Sequence, residues 1–222
     1  MKAVKKEHYT DNEVIKKVLS GERQLYELLI RRFNPFLYRI GRTYNYSHHD
    51  TEDLMQETYI QAFYALSKFE GRSSFKTWIT RIMLNNCYHK KQKFSFKNEK
   101  PSEAPIIEKG RPMYHSQKNT EKNMLNKELG YVLENALATI PEDYRLVFTL
   151  RELNGLTVTE TAAVTEISET NVKVRLNRAK IMLRSQIEKI YSPADIYEFN
   201  LVYCNAMVER VMLLINVHNV AE

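Results

Sequence analysis

Residues 156–184 read LTVTETAAVTEISETNVKVRLNRAKIMLR, two helical patterns broken by a short turn at Thr165-Glu166-Ile167. In the second pattern Val172, Leu176, Ala179 and Leu183 recur at spacings of four, three and four, which stacks them on one side of a helix. Lys173, Arg175, Asn177, Arg178, Lys180 and Arg184 take the rest of the circumference, and no Asp or Glu lies between Thr170 and Ile187. Thr157 with Glu160 three residues on predicts a capping box for the first helix, and Ser168 predicts a cap for the second, with Glu169 near its positive end. An apolar stripe that holds a helix down while cations face outward suits a phosphate backbone, or else a plain solvated basic face.

The surrounding composition agrees with helices and with an anionic partner. The chain has 222 residues, a formal net charge of +6, and only six Gly and six Pro, which favours an all-α fold over a turn-rich β architecture. Two cysteines, Cys87 and Cys204, make no disulfide framework and suit a reducing compartment. The N-terminal MKAVKKEHYTDNE has no apolar run behind it, so no signal peptide is expected, and no stretch of about 18 apolar residues exists to span a membrane.

Helical periodicity falls into two blocks. The first covers roughly residues 10–93. Thr10 and Glu13 predict a capping box, and a longer pattern follows through Leu25, Leu29, Phe33, Leu37 and Ile40, with Pro35 inside it. A third helix is expected from about Thr51 to Lys68, capped by Asp50, and a fourth from about Ser74 to Lys93. Residues 94–123, with Pro101, Pro105, Gly110 and Pro112, read as a tether. The second block begins near Thr120 and runs through a helix stopped by Pro141, another from Glu142 to Leu153, and the helix-turn-helix.

Two surfaces stand out in the first block. Asp53, Gln56 and Ile60, with Glu57 beside them, project from the third helix as either a protein-docking surface or an ordinary solvated face. On the fourth, Thr77, Arg81, Asn85 and Tyr88 form a strip flanked by Arg72, Lys76, Lys90, Lys91 and Lys93. Cations that hold phosphates, set among groups that stack on or read unpaired bases, are what single-stranded nucleic acid requires.

With both blocks read, the chain resembles bacterial RNA polymerase sigma factors of the extracytoplasmic-function (ECF) class, through DTEDLMQETYIQAFYALSKFEGRSSFKTWITRIMLNN and IPEDYRLVFTLRELNGLTVTETAAV…SETNVKVRLNRAK. The resemblance covers about residues 10–190 and implies two small helical domains joined by a flexible linker. On it, residues 1–97 are expected to be region 2, 98–123 the linker, 124–191 region 4 and 192–222 a helical extension. It implies that Asp53, Gln56, Glu57 and Ile60 dock on the polymerase β′ subunit. Arg72, Lys76, Thr77, Arg81, Asn85 and Tyr88 would recognise and melt the −10 element. Ser168, Thr170, Asn171, Lys173, Val174, Arg175, Asn177 and Arg178 would read the −35 element in the major groove. The expected partners are core RNA polymerase through its β′ and β subunits, promoter DNA and an anti-sigma factor, in the cytoplasm, with no catalytic residue, metal or cofactor.

The chain departs from that pattern at Glu166, where the family commonly has Gly, and at Thr161 and Thr165, which replace common aliphatic residues. His48-His49-Asp50 fits a cap and loop better than a metal site, since adjacent residues do not share one coordination face. In the extension, Leu201, Cys204, Val208, Val211, Met212 and Ile215 share a helical face that needs a cover, either as a regulatory latch or for stability alone.

Overall fold

A computed structural model describes residues 9–97, 130–190 and 201–218, and every regular element among them is helical. The linker expected at 98–123 and the start of the helix expected from Thr120 lie outside the described residues. The chain divides into two compact units, residues 1–183 and 184–222. Both helical blocks of the sequence therefore belong to the first unit.

The first block is a four-helix assembly. Helix α1 (Asp11–Leu19) opens on the predicted capping box: Thr10 Oγ1 accepts from Glu13 N, and Glu13 Oε2 accepts from Thr10 N at 2.7 Å. Helix α2 (Tyr26–Thr43) continues through Pro35, and α3 (His48–Tyr64) crosses it closely. Gly41 makes that crossing possible, because a Cβ there would meet Thr51 Cγ2 at 2.5 Å. Ser47, not Asp50, caps α3: its hydroxyl accepts from Asp50 N, while the Asp50 carboxylate accepts from Lys90. The helix starts at His48, two residues before the expected cap, so Asp50 lies inside the first turn, where its carboxylate also accepts from the Ser47 hydroxyl at 2.7 Å. Helix α4 (Phe75–Lys97) completes the block. Leu29, Leu37, Ile40, Leu66, Phe75, Ile79 and Met83 are its fully buried centre, each worth about 1.5–3 kcal/mol of apolar burial.

The second block packs on the first. A helix over residues 130–138, α5, precedes Pro141, and α6 (Glu142–Phe148) runs into a single π turn at Thr149–Leu153. Gly155 then takes φ +66°, which reverses the chain toward α7 (Val158–Thr165). The predicted Thr157–Glu160 capping box is present on α7, and Ser168 caps α8 (Glu169–Ile190) by accepting from Asn171 N at 3.2 Å. Val172 and Ala179 anchor α8, both fully buried.

Leu150, Leu156 and Val164 of the second block join the buried apolar core of the first, and polar contacts add to this. Arg145, only 5% exposed, donates to Thr43 O of α2 and to the Leu137, Ala138 and Ile140 carbonyls at the end of α5. Arg42 and Glu134 form a nearly buried ion pair at 2.7 Å. The Thr43 hydroxyl donates to that of Thr149 at 3.0 Å.

In the second unit, α9 (Leu201–His218) forms as the periodicity predicts. The face that needed a cover is exposed at Val208, Val211 and Met212, and Met207 and Leu213 are exposed as well.

Glu166 does adopt the left-handed conformation, at φ 57° and ψ 33°. Thr161 is fully buried and its hydroxyl has no hydrogen-bond partner. Both departures from an ideal helix-turn-helix are therefore costs carried by the fold. Thr161→Val removes an orphaned hydroxyl at constant shape and raises stability by about 1 kcal/mol. Glu166→Gly relieves the left-handed strain and gains about 0.5–1 kcal/mol. Urea unfolding midpoints measure both; a lowered midpoint for either variant contradicts this account.

Candidate functional site

Each of the three predicted surfaces rests on one helix. On α3, Asp53, Gln56, Glu57 and Ile60 are all exposed. Thr51, Leu54, Thr58 and Ala62 fill the opposite side and fix that orientation. Asp53 pairs with His49 at 3.8 Å and Glu57 accepts from Gln61 at 3.1 Å, so the helix carries its own charge network. Gln56 and Ile60 border an apolar groove of about 590 Å³, whose other walls include Tyr26, Ile30, Met55, Tyr59, Phe63 and Tyr64. Ile60 is 50% and Tyr64 80% exposed at its rim.

Sequence reading found the acidic and amide rim of this groove but not its aromatic floor. Tyr26 and Tyr59 are locked together across two helices: Tyr26 Oη donates to Tyr59 O at 2.9 Å, and Tyr59 Oη donates to Ile30 O at 3.1 Å. Burial pushes both phenols well above their ordinary range, so they remain neutral donors. The spacing of Tyr59 and Phe63 by four residues, beside Gln56 and Ile60, was the available signal.

On α4, the strip expected to meet unpaired bases is split in two. Arg72, Asn85 and Tyr88 are exposed, with Arg72 paired to Glu70. Lys76, Thr77 and Arg81 instead engage the second block. Thr77 is 5% exposed, contrary to its expected place on an open face, and donates to Glu160 Oε1 at 2.8 Å. The Ser74 hydroxyl lies 2.8 Å from that of Thr77 and 3.4 Å from Glu160. Arg81 donates to Ala163 O at 2.7 Å, and Lys76 donates to Asn154 O. The reason is acceptor supply: the π turn and α7 present carbonyls and a carboxylate to a helix rich in donors.

Lys76 and Arg39 also both sit over the Phe36 ring, at 4.5 and 5.6 Å from its centroid. Arg39 then donates to Leu153 O and Asn154 Oδ1, and Asn154 Nδ2 donates to Phe36 O. Asn154 is thus a buried amide that joins the two blocks.

On α8, Ser168, Thr170, Asn171, Lys173, Val174, Asn177 and Arg178 are exposed, while Arg175 is half-buried. Residues of the preceding helix and π turn brace its cations: Asp143 pairs with Arg175 at 3.3 Å, Tyr144 Oη accepts from Arg178 at 3.3 Å, and Glu152 pairs with Lys180 at 2.9 Å. These braces were not foreseen, since nothing local in the sequence links α6 to α8. Cys87 lies buried, and burial pushes its thiol up to about 12, which leaves it chemically inert. No group of three or more potential metal ligands occurs among the described residues.

Comparison with known proteins matches this arrangement. Residues 29–94 match the family described as Sigma-70 region 2, and residues 131–183 match Sigma-70, region 4. The chain is 30% identical over 190 residues to the ECF RNA polymerase sigma-E factor of Salmonella typhimurium strain LT2, covering 83% of this chain and 97% of that protein. The sigma-E factor of Escherichia coli strain K12 gives the same identity and coverage. That of Haemophilus influenzae is 27% identical and is covered to 98%. Among solved structures, the sigma factor RpoE in complex with the anti-sigma factor NepR from Bartonella quintana shares the fold at a TM-score of 0.59. That likeness has 19% identity and covers 75% of this chain and 96% of RpoE. CnrH in complex with the cytosolic domain of CnrY shares it at 0.56, with 20% identity over 81% of this chain and 97% of CnrH.

Glu160 gives the two-block contact a pH dependence. Burial opposes its charge, but the Thr157 amide and the Thr77, Thr157 and Ser74 hydroxyls outweigh it and hold the carboxyl below the usual carboxylate range. A carboxyl lowered in this way contributes stability that is complete above its ordinary value and is lost as pH falls through the lowered folded value. The stability gap between the chain and Glu160→Gln is therefore full near pH 7 and narrows below about pH 4. Paired urea titrations across that range check it, and a gap that stays constant contradicts it.

Proposed function

The chain belongs to the extracytoplasmic-function (ECF) class of RNA polymerase sigma factors, and from that membership we propose how its surfaces divide the work. It binds core RNA polymerase and directs promoter recognition and DNA melting at transcription initiation, and it is not an enzyme. Residues 1–97 act as region 2, 124–191 as region 4, 98–123 as the linker and 192–222 as an extension beyond both.

Docking on the polymerase falls to α3. Asp53, Gln56 and Glu57 provide a polar rim and Ile60 an apolar anchor beside the aromatic groove, the arrangement of a protein interface with a buried centre. On α4, Arg72, Lys76 and Arg81 hold the phosphates of the −10 region, while Thr77, Asn85 and Tyr88 meet the separated bases. Melting costs unstacking energy, and stacked or hydrogen-bonded bases return about 1–3 kcal/mol each. On α8, Lys173, Arg175, Asn177 and Arg178 face the −35 duplex, with Ser168, Thr170, Asn171 and Val174 at the entering end.

The observation that carries this reading is α8 itself. Buried Val172 and Ala179 hold it down, while the acid-free stretch between Thr170 and Ile187 exposes Lys173, Asn177, Arg178 and Lys180. Neither DNA contact needs to be tight, because one polymerase carries both and their effective concentrations multiply. We place the protein in the cytoplasm, with its DNA and polymerase; no described helix is long and apolar enough to cross a membrane. An anti-sigma factor is the proposed inhibitor, by analogy with RpoE, which was solved with NepR.

Run-off transcription with bacterial core polymerase on a genomic fragment pool tests the assignment: discrete start sites appear only when the protein is added. Ile60→Asp lowers polymerase affinity at least about tenfold. Lys173→Ala weakens promoter binding by the holoenzyme across sequences and reduces the salt slope by about one. Equal start-site selection with and without the protein, or an unchanged salt slope, contradicts these roles.

A further inference from the structure

The second unit carries a helix whose middle turns are open on every side. Along α9, all residues from Asn205 to Leu213 are exposed, and Met207, Val208, Val211, Met212 and Leu213 are between 44% and 66% exposed. Apart from His218, only Glu209 and Arg210 among residues 201–218 can carry a charge at neutral pH. A helix of this length draws most of its stability from packing its apolar side, so such a surface calls for a partner. Membrane surfaces and nucleic acids fit poorly, because both recruit helices rich in Lys and Arg. The partner is therefore a protein with an apolar face of its own.

We infer that this partner is a second copy of the chain, joined α9 to α9 in antiparallel fashion. Positions 201, 204, 208, 211, 215 and 218 follow one another at spacings of three, four, three, four and three, the alternation that forms the seam of a two-helix coiled coil. That seam is symmetric about the Glu209–Arg210 peptide bond. Reversed onto itself about this point, it sets position Val208 opposite Val211, Cys204 opposite Ile215 and Leu201 opposite His218, with Met207 and Met212 at the flanks. A two-fold axis through the bond lets one surface serve both copies, as an isologous dimer requires. Antiparallel packing also opposes the two helix dipoles, whereas parallel pairing aligns them. Leu213 falls on the far side of the helix and takes no part.

The size of the contact sets its strength. Helix α9 has 18 residues and is about 27 Å long, so two copies in contact bury roughly 800–1,000 Å², the low end for a specific interface. The pair is accordingly a weak, reversible dimer that forms at micromolar concentration. The region 4 match ends at residue 183, well before α9, and no residue of the proposed polymerase or DNA surfaces takes part. The pairing therefore stands or falls independently of those roles.

Sedimentation equilibrium of the full chain over about 1–200 μM tests this, in reducing agent so that Cys204 cannot cross-link copies. The parent is expected to show a monomer–dimer equilibrium. Val208→Lys/Val211→Lys sets like charges across both central layers and is expected to raise the dissociation constant at least about tenfold. Val208→Lys/Val211→Glu sets opposite charges across the same layers only when the helices are antiparallel, and is expected to associate at least about tenfold more tightly than the double-lysine variant. Val208→Ala/Val211→Ala, which keeps helix propensity high, is expected to weaken the dimer at least about fivefold, while Leu213→Lys leaves it within about twofold of the parent. A parent that stays monomeric throughout overturns the inference, and amide exchange that then finds α9 protected assigns its cover to the chain's own domains. A dimer that survives the alanine and double-lysine variants, or that Leu213→Lys weakens as strongly, overturns it as well. Equal weakening by the two charged double variants overturns the antiparallel pairing.

Discussion

One buried guanidinium organises the junction on which this architecture turns. Arg145 gathers Thr43 O from the end of α2 and the Leu137, Ala138 and Ile140 carbonyls at and just past the end of α5, main-chain acceptors at helix termini. Among the described residues no carboxylate hydrogen-bonds to it; the helix-end carbonyls hold the cation, with the nearby Glu142 charge also favouring it. Burial pulls its acid constant down, yet an arginine remains charged, and four acceptors hold it in one orientation. Around Arg145, Thr149 meets Thr43, Glu134 meets Arg42, and Asn154 at the end of the π turn meets α2 and α4.

The junction joins the blocks by apolar and polar contacts together. Leu150, Leu156 and Val164 of the second block share one buried core with Phe75, Ile79 and Met83 of the first. Hydrogen bonds and an ion pair add to that burial and fix its orientation. Two of the cations proposed to meet DNA are satisfied internally: Arg175 by Asp143 and Arg81 by a carbonyl of α7. On the proposed roles DNA competes with these acceptors, and the salt sensitivity of binding includes the release of those contacts as well as of counter-ions.

The sequence made the helices and their ends legible because the relevant signals are local. Thr10 with Glu13, Thr157 with Glu160, and Ser168 cap the helices they were expected to cap, and Val172 and Ala179 face inward as their spacing required. The left-handed turn at Glu166 was also readable, from a residue standing where glycine is usual. What escaped was every feature that depends on distant pairing. Asp50 does not cap α3 because the helix starts two residues earlier, at His48; its carboxylate instead joins Ser47 and Lys90, forty residues on. Thr77 has the periodicity of an outward residue, and only the arrival of Glu160 buries it. The aromatic floor of the groove joins Tyr26 of α2 to Tyr59 and Phe63 of α3, a juxtaposition created by the crossing at Gly41.

The central claim is that the two blocks lie together in one unit, held by the Arg145 junction. Energy transfer between dyes at Leu19→Cys and Ile181→Cys, two exposed positions on α1 and α8, in a Cys204→Ser background, measures this most directly. The account predicts high transfer in the protein and a marked fall when Arg145→Ala is added. Low transfer in the parent, or transfer unchanged by Arg145→Ala, would contradict it.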